Sequence, residues 1–339
     1  MAGAASFSNF NAAMSLMNHV YFNPVIGALV RHGVPDHLDK GPLPASDLAR
    51  VAGLDALSLT RALRALAAFG TFREVTPEVF ANNPVSDLFR NRPGGLRNTA
   101  LFYSSDHFLK SAAALGHSVV TGTSATAHVF GKSVWEHMRQ NPEESEIFNR
   151  MLAELRGDEH QQVADAFDWA GVNTVVDVGG GVGSLLGAIL EKVPGVRGVL
   201  FEQPGVLPDA DRVLSERGVR ERCRLLAGSF FDPISAEGDV WALCQVLHDW
   251  PDTDCRAILR RCREAMRGSD RLLVIEMLTV PCEPSIPVSM IDMAMLMYFG
   301  EARQRTIEEY RKLFESTHFV LARVLPTAGA FSIVEARPG

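Results

Sequence analysis

Val175-Val176-Asp177-Val178-Gly179-Gly180-Gly181-Val182-Gly183 is the stretch on which the fold turns. Its first half has the apolar, β-branched texture of a strand buried on both faces. It runs into glycines, which take up positive φ freely and let a ligand come close to the backbone. An apolar helix through Leu185, Leu186, Ile189 and Leu190 follows, so the order is strand, glycine turn, helix, as in nucleotide-type sites. About twenty residues on, Val199-Leu200-Phe201-Glu202 ends a second strand in a carboxylate suited to the two hydroxyls of a ribose. Gly179-x-Gly181-x-x-Ser184 nearly matches GxGxxG, so these features alone suit NAD equally well. The plainer readings, a tight turn and a solvated strand-end acid, also stand at this point.

Downstream, short apolar runs alternate with helical stretches. The runs are Thr174–Val178, Gly198–Phe201, Arg224–Ala227, Val240–Leu243 and Leu272–Met277, a pattern that predicts a parallel sheet covered by helices on both faces. Phe319–Val324 and Phe331–Ala336, separated by the turn-prone Pro326-Thr327-Ala328-Gly329, predict a closing antiparallel hairpin. The fold class expected is α/β, a Rossmann-like, doubly wound, seven-stranded sheet.

Upstream the texture is helical. Met14, Met17, Val20, Tyr21, Ile26 and Leu29 recur mostly at helical spacing between Asn11 and Val30, with so wide an apolar stripe that burial against a partner is expected. Ser46 is placed to cap a short helix, a second helix spans about Ser58–Ala68, and Gly70 stops it before a small strand-turn-strand around Pro77. Helix, turn, helix and β-wing make a winged-helix-like pattern. Residues 41–90 carry five Arg against five acids, which speaks against a DNA-reading role. Residues 101–165 look largely helical, with Asn141-Pro142-Glu143-Glu144 opening a helix through Phe148 and Met151. The expected division is a domain over 1–108 and a second over 109–339, with 109–165 as helical connector.

Across all 339 residues the net charge is −7, so no basic field gathers nucleic acid or anionic lipid. No apolar run reaches the roughly 18 residues that span a bilayer, and no leader pattern precedes the first helix; a cytoplasmic location is expected. Cys223, Cys244, Cys255, Cys262 and Cys282 make no CxxC pair and read as free thiols. Asp239 to Trp250 is a strand whose end delivers His248 to the face where open α/β sheets bind ligands. Leu272-Leu273-Val274-Ile275-Glu276 ends in an acid 28 residues later, which should bring His248 and Glu276 within hydrogen-bond reach.

With VVDVGGGVG, LHDW and VIEM in that order, then DMAMLMYFG and RQRTIEEY, nearly the whole chain resembles the S-adenosylmethionine-dependent class I O-methyltransferases of the caffeate and acetylserotonin type, bacterial natural-product tailoring enzymes among them. The resemblance implies a homodimer built on the N-terminal half, S-adenosylmethionine as cofactor and a small hydroxylated aromatic as substrate. It places Gly179, Gly181, Glu202, Ser229, Phe230 and Cys244 around the cofactor. His248 becomes the general base, Glu276 the group that orients it, and Phe148, Met151, Met295 and Phe299 line the acceptor side. Three positions depart from the family pattern: Ser229 replaces an acid, Cys244 a lysine, and Gln304 the second acid beside the histidine.

Methyl transfer from a sulfonium is an in-line displacement, so holding the reactants together supplies roughly 7–11 kcal/mol. An ordinary imidazole titrates near about 6.5 and a phenol near about 10, so the base takes the proton as the new bond forms, worth about 10²–10⁴-fold. That chemistry needs no metal, and the sequence shows no clustered ligands for one. Asp249 reads as a local cap and Trp250 as packing beside the pocket. Met290, Met293, Met295 and Met297 suit either a core or an aromatic ligand. His107, His128 and His137 belong to no motif and read as structural or surface. The alternatives are a homologue that keeps the cofactor but has turned to hydroxylase- or decarboxylase-like chemistry, an NAD-dependent dehydrogenase, and a winged-helix regulator.

Overall fold

The computed structural model describes residues 2–339, with side chains from Asn9 onward. The chain divides into two compact units, Met1–Ala113 with Val134–Gly157, and Ala114–Ser133 with Asp158–Gly339. The stretch 109–165 is therefore shared out between them. Among the described residues no helix is long and apolar enough to cross a membrane.

In the first unit, the helical segment is two helices, Ala2–Asn18 and Phe22–Arg31, joined by a 3-10 turn at His19–Tyr21. Pro24 explains the break: it has no N–H to return to the carbonyl four residues back. The second piece buries Leu29 and Val30, whereas Leu16, Met17, Val20 and Tyr21 stand exposed in the single chain. Helices Ala45–Ala52 and Ala56–Ala68 follow, with a small antiparallel sheet of β1 (Leu43–Pro44), β2 (Arg73–Thr76) and β3 (Val79–Ala81) in the order β1-β3-β2. This is the winged-helix-like arrangement, with Leu48, Leu59, Leu63, Leu66 and Phe80 packed in its centre. Ser46 caps nothing: Pro44 sits at the N-cap and Ser46 falls inside the first turn. The side-chain cap is one helix later, where Asp55 accepts from the Ser58 N–H at 2.8 Å. Helices Arg97–Tyr103, Asp106–Ala113, Val134–Gln140 and Pro142–Arg156 complete the unit. Glu154 ties the last to the first by accepting from the backbone N–H groups of Asn98 and Thr99, a carboxylate at a helix N-terminus.

The second unit is built on β4 (Thr174–Val178), β5 (Arg197–Glu202), β6 (Cys223–Ala227), β7 (Val240–Cys244), β8 (Arg271–Glu276), β9 (Phe319–Pro326) and β10 (Ser332–Pro338). Their spatial order is β6-β5-β4-β7-β8-β10-β9. The first five run parallel, and β10 lies antiparallel between β8 and β9. Alternate residues feed opposite cores, as the two-residue period of a strand requires. Val175, Leu200, Leu273 and Ile333 pack on one face with Leu186 and Ile189, and Val176, Trp241, Leu243 and Val274 on the other with Ile258, Leu259 and Phe314. Because strand order reverses beside β4, the crevice between its end and that of β7 is where such a sheet takes its ligand. In RQRTIEEY, Thr306 and Glu309 form a reciprocal capping box that starts helix Ile307–Glu315.

Candidate active site

At the end of β4 the turn is shaped by glycines in a backbone conformation that other residues rarely adopt. Gly179, Gly181 and Gly183 have φ of 68°, 57° and 79°. A Cβ on Gly180 would lie 2.3 Å from Asp177 Oδ2, and one on Gly179 would press on Phe230 and Val246 at 3.1 Å. The turn is tied to the next strand: the Gly179 N–H donates to the Phe201 carbonyl at 2.8 Å and the Gly181 N–H to Glu202 Oε2 at 2.9 Å. Glu202 Oε1 accepts from the Gln203 N–H at 2.6 Å. Both oxygens thus have one partner and keep lone-pair capacity for two neighbouring hydroxyls. Beneath the turn Asp177 is fully buried, and burial pushes its carboxyl up to about 7, with the charge of Glu202 adding to the effect and the Leu186 backbone N–H opposing it.

Beside Glu202 the chain turns at Gly228 to present Ser229 and Phe230. Glu202, Gly228, Ser229, Phe230, Phe231 and Trp250 line one pocket. Its aromatic wall is edge-on: Phe230 and Phe231 both meet Trp250 at steep angles, with centroids 5.8 and 4.8 Å away. Trp250 therefore packs at the pocket, as expected, and the Ser229 hydroxyl accepts from the Phe231 N–H at 3.2 Å. Cys244 ends β7, half-buried, in register with Ile275 of β8.

From Cys244 the chain turns sharply. Gln245 takes φ of 52°, a left-handed backbone uncommon outside glycine, and a 3-10 turn over Leu247–Asp249 aims His248 inward. Its backbone N–H donates to Glu276 Oε1 at 3.3 Å, and its Nδ1 lies 2.8 Å from Glu276 Oε2. Gln304 Nε2 comes within 3.0 Å of the same Nδ1. On the ring's other side Asp249 Oδ1 is 3.2 Å from Nε2. Asp249 is thus no helix cap: the following helix, Asp252–Ala265, has Pro251 at its N-cap and no side-chain cap. Burial disfavours a charge on the His248 ring, but the carboxylates of Glu276 and Asp249 outweigh it and push the imidazole up to about 10.

Arg305 holds this turn in place and had no signal of its own in the sequence. Fully buried, it donates to the carbonyls of Leu247 and Trp250, both at 2.7 Å, and to Asp252 Oδ1 at 2.9 and 3.0 Å. The Gln304 N–H donates to Asp292 at 2.7 Å, fixing the amide's backbone from the other side. The remaining candidates form two pairs. Met295, buried, and Phe299, half-buried, share helix Ile286–Phe299 of the second unit. Phe148 and Met151 share helix Pro142–Arg156 of the first, with the Phe148 ring 5.1 Å from that of Phe102. Of the four methionines, Met295 and Met297 are buried, while Met290 and Met293 are exposed.

Residues 113–320 match the family model of an O-methyltransferase domain, and residues 14–92 that of an O-methyltransferase dimerisation domain. The chain is 36% identical over 338 residues to the phenazine O-methyltransferase PhzM of Lysobacter antibioticus, covering 99% of this chain and 98% of that one. The solved structure of the mitomycin 7-O-methyltransferase MmcR superposes with a TM-score of 0.92 at 34% identity, over 99% of this chain and all of its own. That of the neocarzinostatin-pathway O-methyltransferase NcsB1, in complex with S-adenosylmethionine and 2-hydroxy-5-methyl naphthoic acid, superposes with a TM-score of 0.82 at 31% identity, over 94% and 96% of the two chains.

Proposed function

The chain belongs to the family of S-adenosylmethionine-dependent O-methyltransferases, and on that premise we propose that it methylates a hydroxyl of a small aromatic molecule with His248 as general base. The observation that carries the reading is the bracketing of one buried imidazole at the end of β7 by Glu276 and Asp249, beside the glycine turn of β4.

The residues present fit the cofactor. The glycine turn leaves its backbone bare where the methionine end would lie, Glu202 has acceptor capacity left for the ribose, and the Phe230, Phe231 and Trp250 wall suits a flat base. Ser229 and Cys244 flank that region without the charged groups usual in the family. Bound there, S-adenosylmethionine supplies a methyl group activated on a sulfonium. His248 in its resting state carries both ring protons, one shared with Glu276 and one with Asp249, since a neutral Nε2 would face the Asp249 carboxylate lone pair to lone pair. Before the ring can act as a base it gives its Nε2 proton to solvent; Nε2 then accepts from the substrate hydroxyl, while Glu276 keeps Nδ1–H and holds the ring's orientation. Raised basicity brings the imidazole close to an ordinary phenol, near about 10, so the proton moves with little energy cost as the oxygen attacks.

In the second unit, Met295 and Phe299 are the side chains we assign to the acceptor; thioether and ring faces suit a planar aromatic. The chain works as a homodimer, for which the exposed Leu16, Met17, Val20 and Tyr21 supply apolar surface. NcsB1's naphthoate and the phenazine and mitomycin products named for the other relatives point to a polycyclic phenol of antibiotic biosynthesis. The test is incubation with methyl-labelled S-adenosylmethionine and a panel of phenols, naphthols and matched aromatic amines. Label on an oxygen supports the reading. Cofactor binding with no label moved to any acceptor supports the altered-chemistry alternative instead.

A further inference from the structure

The first unit gathers three side chains from three of its helices. His107 lies on helix Asp106–Ala113, His137 on Val134–Gln140 and Glu144 in the first turn of Pro142–Arg156. One donor atom from each falls within 4.8 Å of the other two. The two imidazoles stack, centroids 4.0 Å apart and planes 22° from parallel, and His137 Nε2 sits 2.9 Å from Glu144 Oε2. His107 is 2% exposed and His137 9%. The second carboxylate oxygen, Glu144 Oε1, is buried without a hydrogen-bond partner.

We propose that His107, His137 and Glu144 form a three-ligand binding site for a divalent transition metal, with zinc as its best-suited occupant and water in the fourth position. A buried carboxylate oxygen that meets no donor is costly, and a cation removes that cost. Two imidazoles and one carboxylate are a zinc ligand set, and imidazole nitrogen selects against calcium and magnesium, which take oxygen. Neighbouring ligands on tetrahedral zinc are about 3.3 Å apart, given bonds of about 2.0–2.2 Å. The His137–Glu144 pair is already that close, and the widest separation closes by turning an imidazole about its terminal torsion, which is soft. Deprotonated nitrogens are needed, so binding releases a proton from any ring that carries one. The ion would clasp three helices, one of them the helix that bears Phe148 and Met151. Sequence spacing could not show it, because the ligands become neighbours only when the helices fold together.

The full-length chain, freed of any purification tag and dialysed against a chelator, is titrated with zinc by calorimetry and with cobalt by visible absorption, and its thermal midpoint is followed with and without zinc. The expected result is one saturable equivalent per chain, a d–d absorption band with cobalt and a midpoint raised by zinc. Glu144→Gln, which keeps the shape, and His137→Ala should each weaken binding roughly 100-fold, at or beyond what is usual for losing a supporting group. His117→Ala, at the other stacked histidine pair, His117 with His128, should leave the stoichiometry unchanged. No saturable binding by the wild-type chain overturns the proposal, whatever the variants do. So does binding that survives both Glu144→Gln and His137→Ala, which would leave the three as a hydrogen-bonded cluster only.

Discussion

Gln304 places its amide 3.0 Å from Nδ1 of His248, on the same ring nitrogen that Glu276 approaches at 2.8 Å. That nitrogen cannot give its proton to a carboxylate and accept one from an amide N–H at once. Since Nδ1 gives its proton to the Glu276 carboxylate, the amide turns its oxygen toward the ring, where it shares that proton. The second brace of the base is thereby neutral in this chain, and the imidazole is held up by Glu276 and Asp249 alone.

Gln304→Glu adds a negative charge at that distance and should raise the imidazole further. A base must be unprotonated to act, so the acidic limb of the pH profile of kcat/KM should move to higher pH, by about one unit, and activity at pH 7 should fall about tenfold. An unmoved limb would mean that residue 304 does not share the ring's proton.

Arg305 is expected to matter for stability before chemistry. Arg305→Met strands the carbonyls of Leu247 and Trp250, each of which now receives a charged hydrogen bond. Urea denaturation should show a loss of roughly 3 kcal/mol or more, and turnover should fall because the His248 turn slackens. A variant as stable as the wild type would show that the turn holds its shape unaided.

How much of this was legible in the sequence depends on whether the signal was local. The strand-glycine-helix run at 174–190 and the acid at 202 sit together in the chain, and all seven strands of the sheet were recognisable because buried strands have a two-residue or continuously apolar texture. His248 and Glu276 were legible as a pair because both follow directly from strand ends of a parallel sheet. Arg305 was not, since an arginine before a Thr-x-x-Glu cap is ordinarily a surface residue and only the folded turn reveals its two carbonyl partners. Ser46 and Asp249 were misread as caps for the complementary reason: residue type suggested a local hydrogen bond, but Pro44 and Pro251 take the cap positions. Pro24 marks the start of the second helix, and the apolar stripe runs across the joint between the two.

Asp177 gives the fold a pH dependence of defined sign. The unfolded carboxyl releases its proton near 3.8 and the folded one near about 7, so between these values the folded chain binds more protons and stability falls as pH rises. Asp177→Asn removes the titration while keeping the shape. The variant should match the wild type near pH 4 and exceed it at pH 8, by on the order of a few kcal/mol, in thermal or urea unfolding. Equal stability at pH 8 would show that the buried carboxylate is compensated.

Glu202→Ala removes the acceptor for the Gly181 N–H together with the ribose contact assigned to it. S-adenosylhomocysteine should bind roughly 10- to 100-fold more weakly by calorimetry, with Glu202→Gln between the two. Unchanged affinity for the alanine variant would take the ribose role from this residue.

The most direct test of the account is the pH dependence of methyl transfer by His248→Gln to a single phenol, beside the wild type. Near neutral pH turnover should drop by about 10²–10⁴-fold, with S-adenosylhomocysteine affinity kept within about twofold. The gap should narrow as pH approaches the acceptor's own ionisation, because a phenolate needs no base. A deficit that stays constant across pH, or no deficit at all, would contradict His248 as the group that takes the proton.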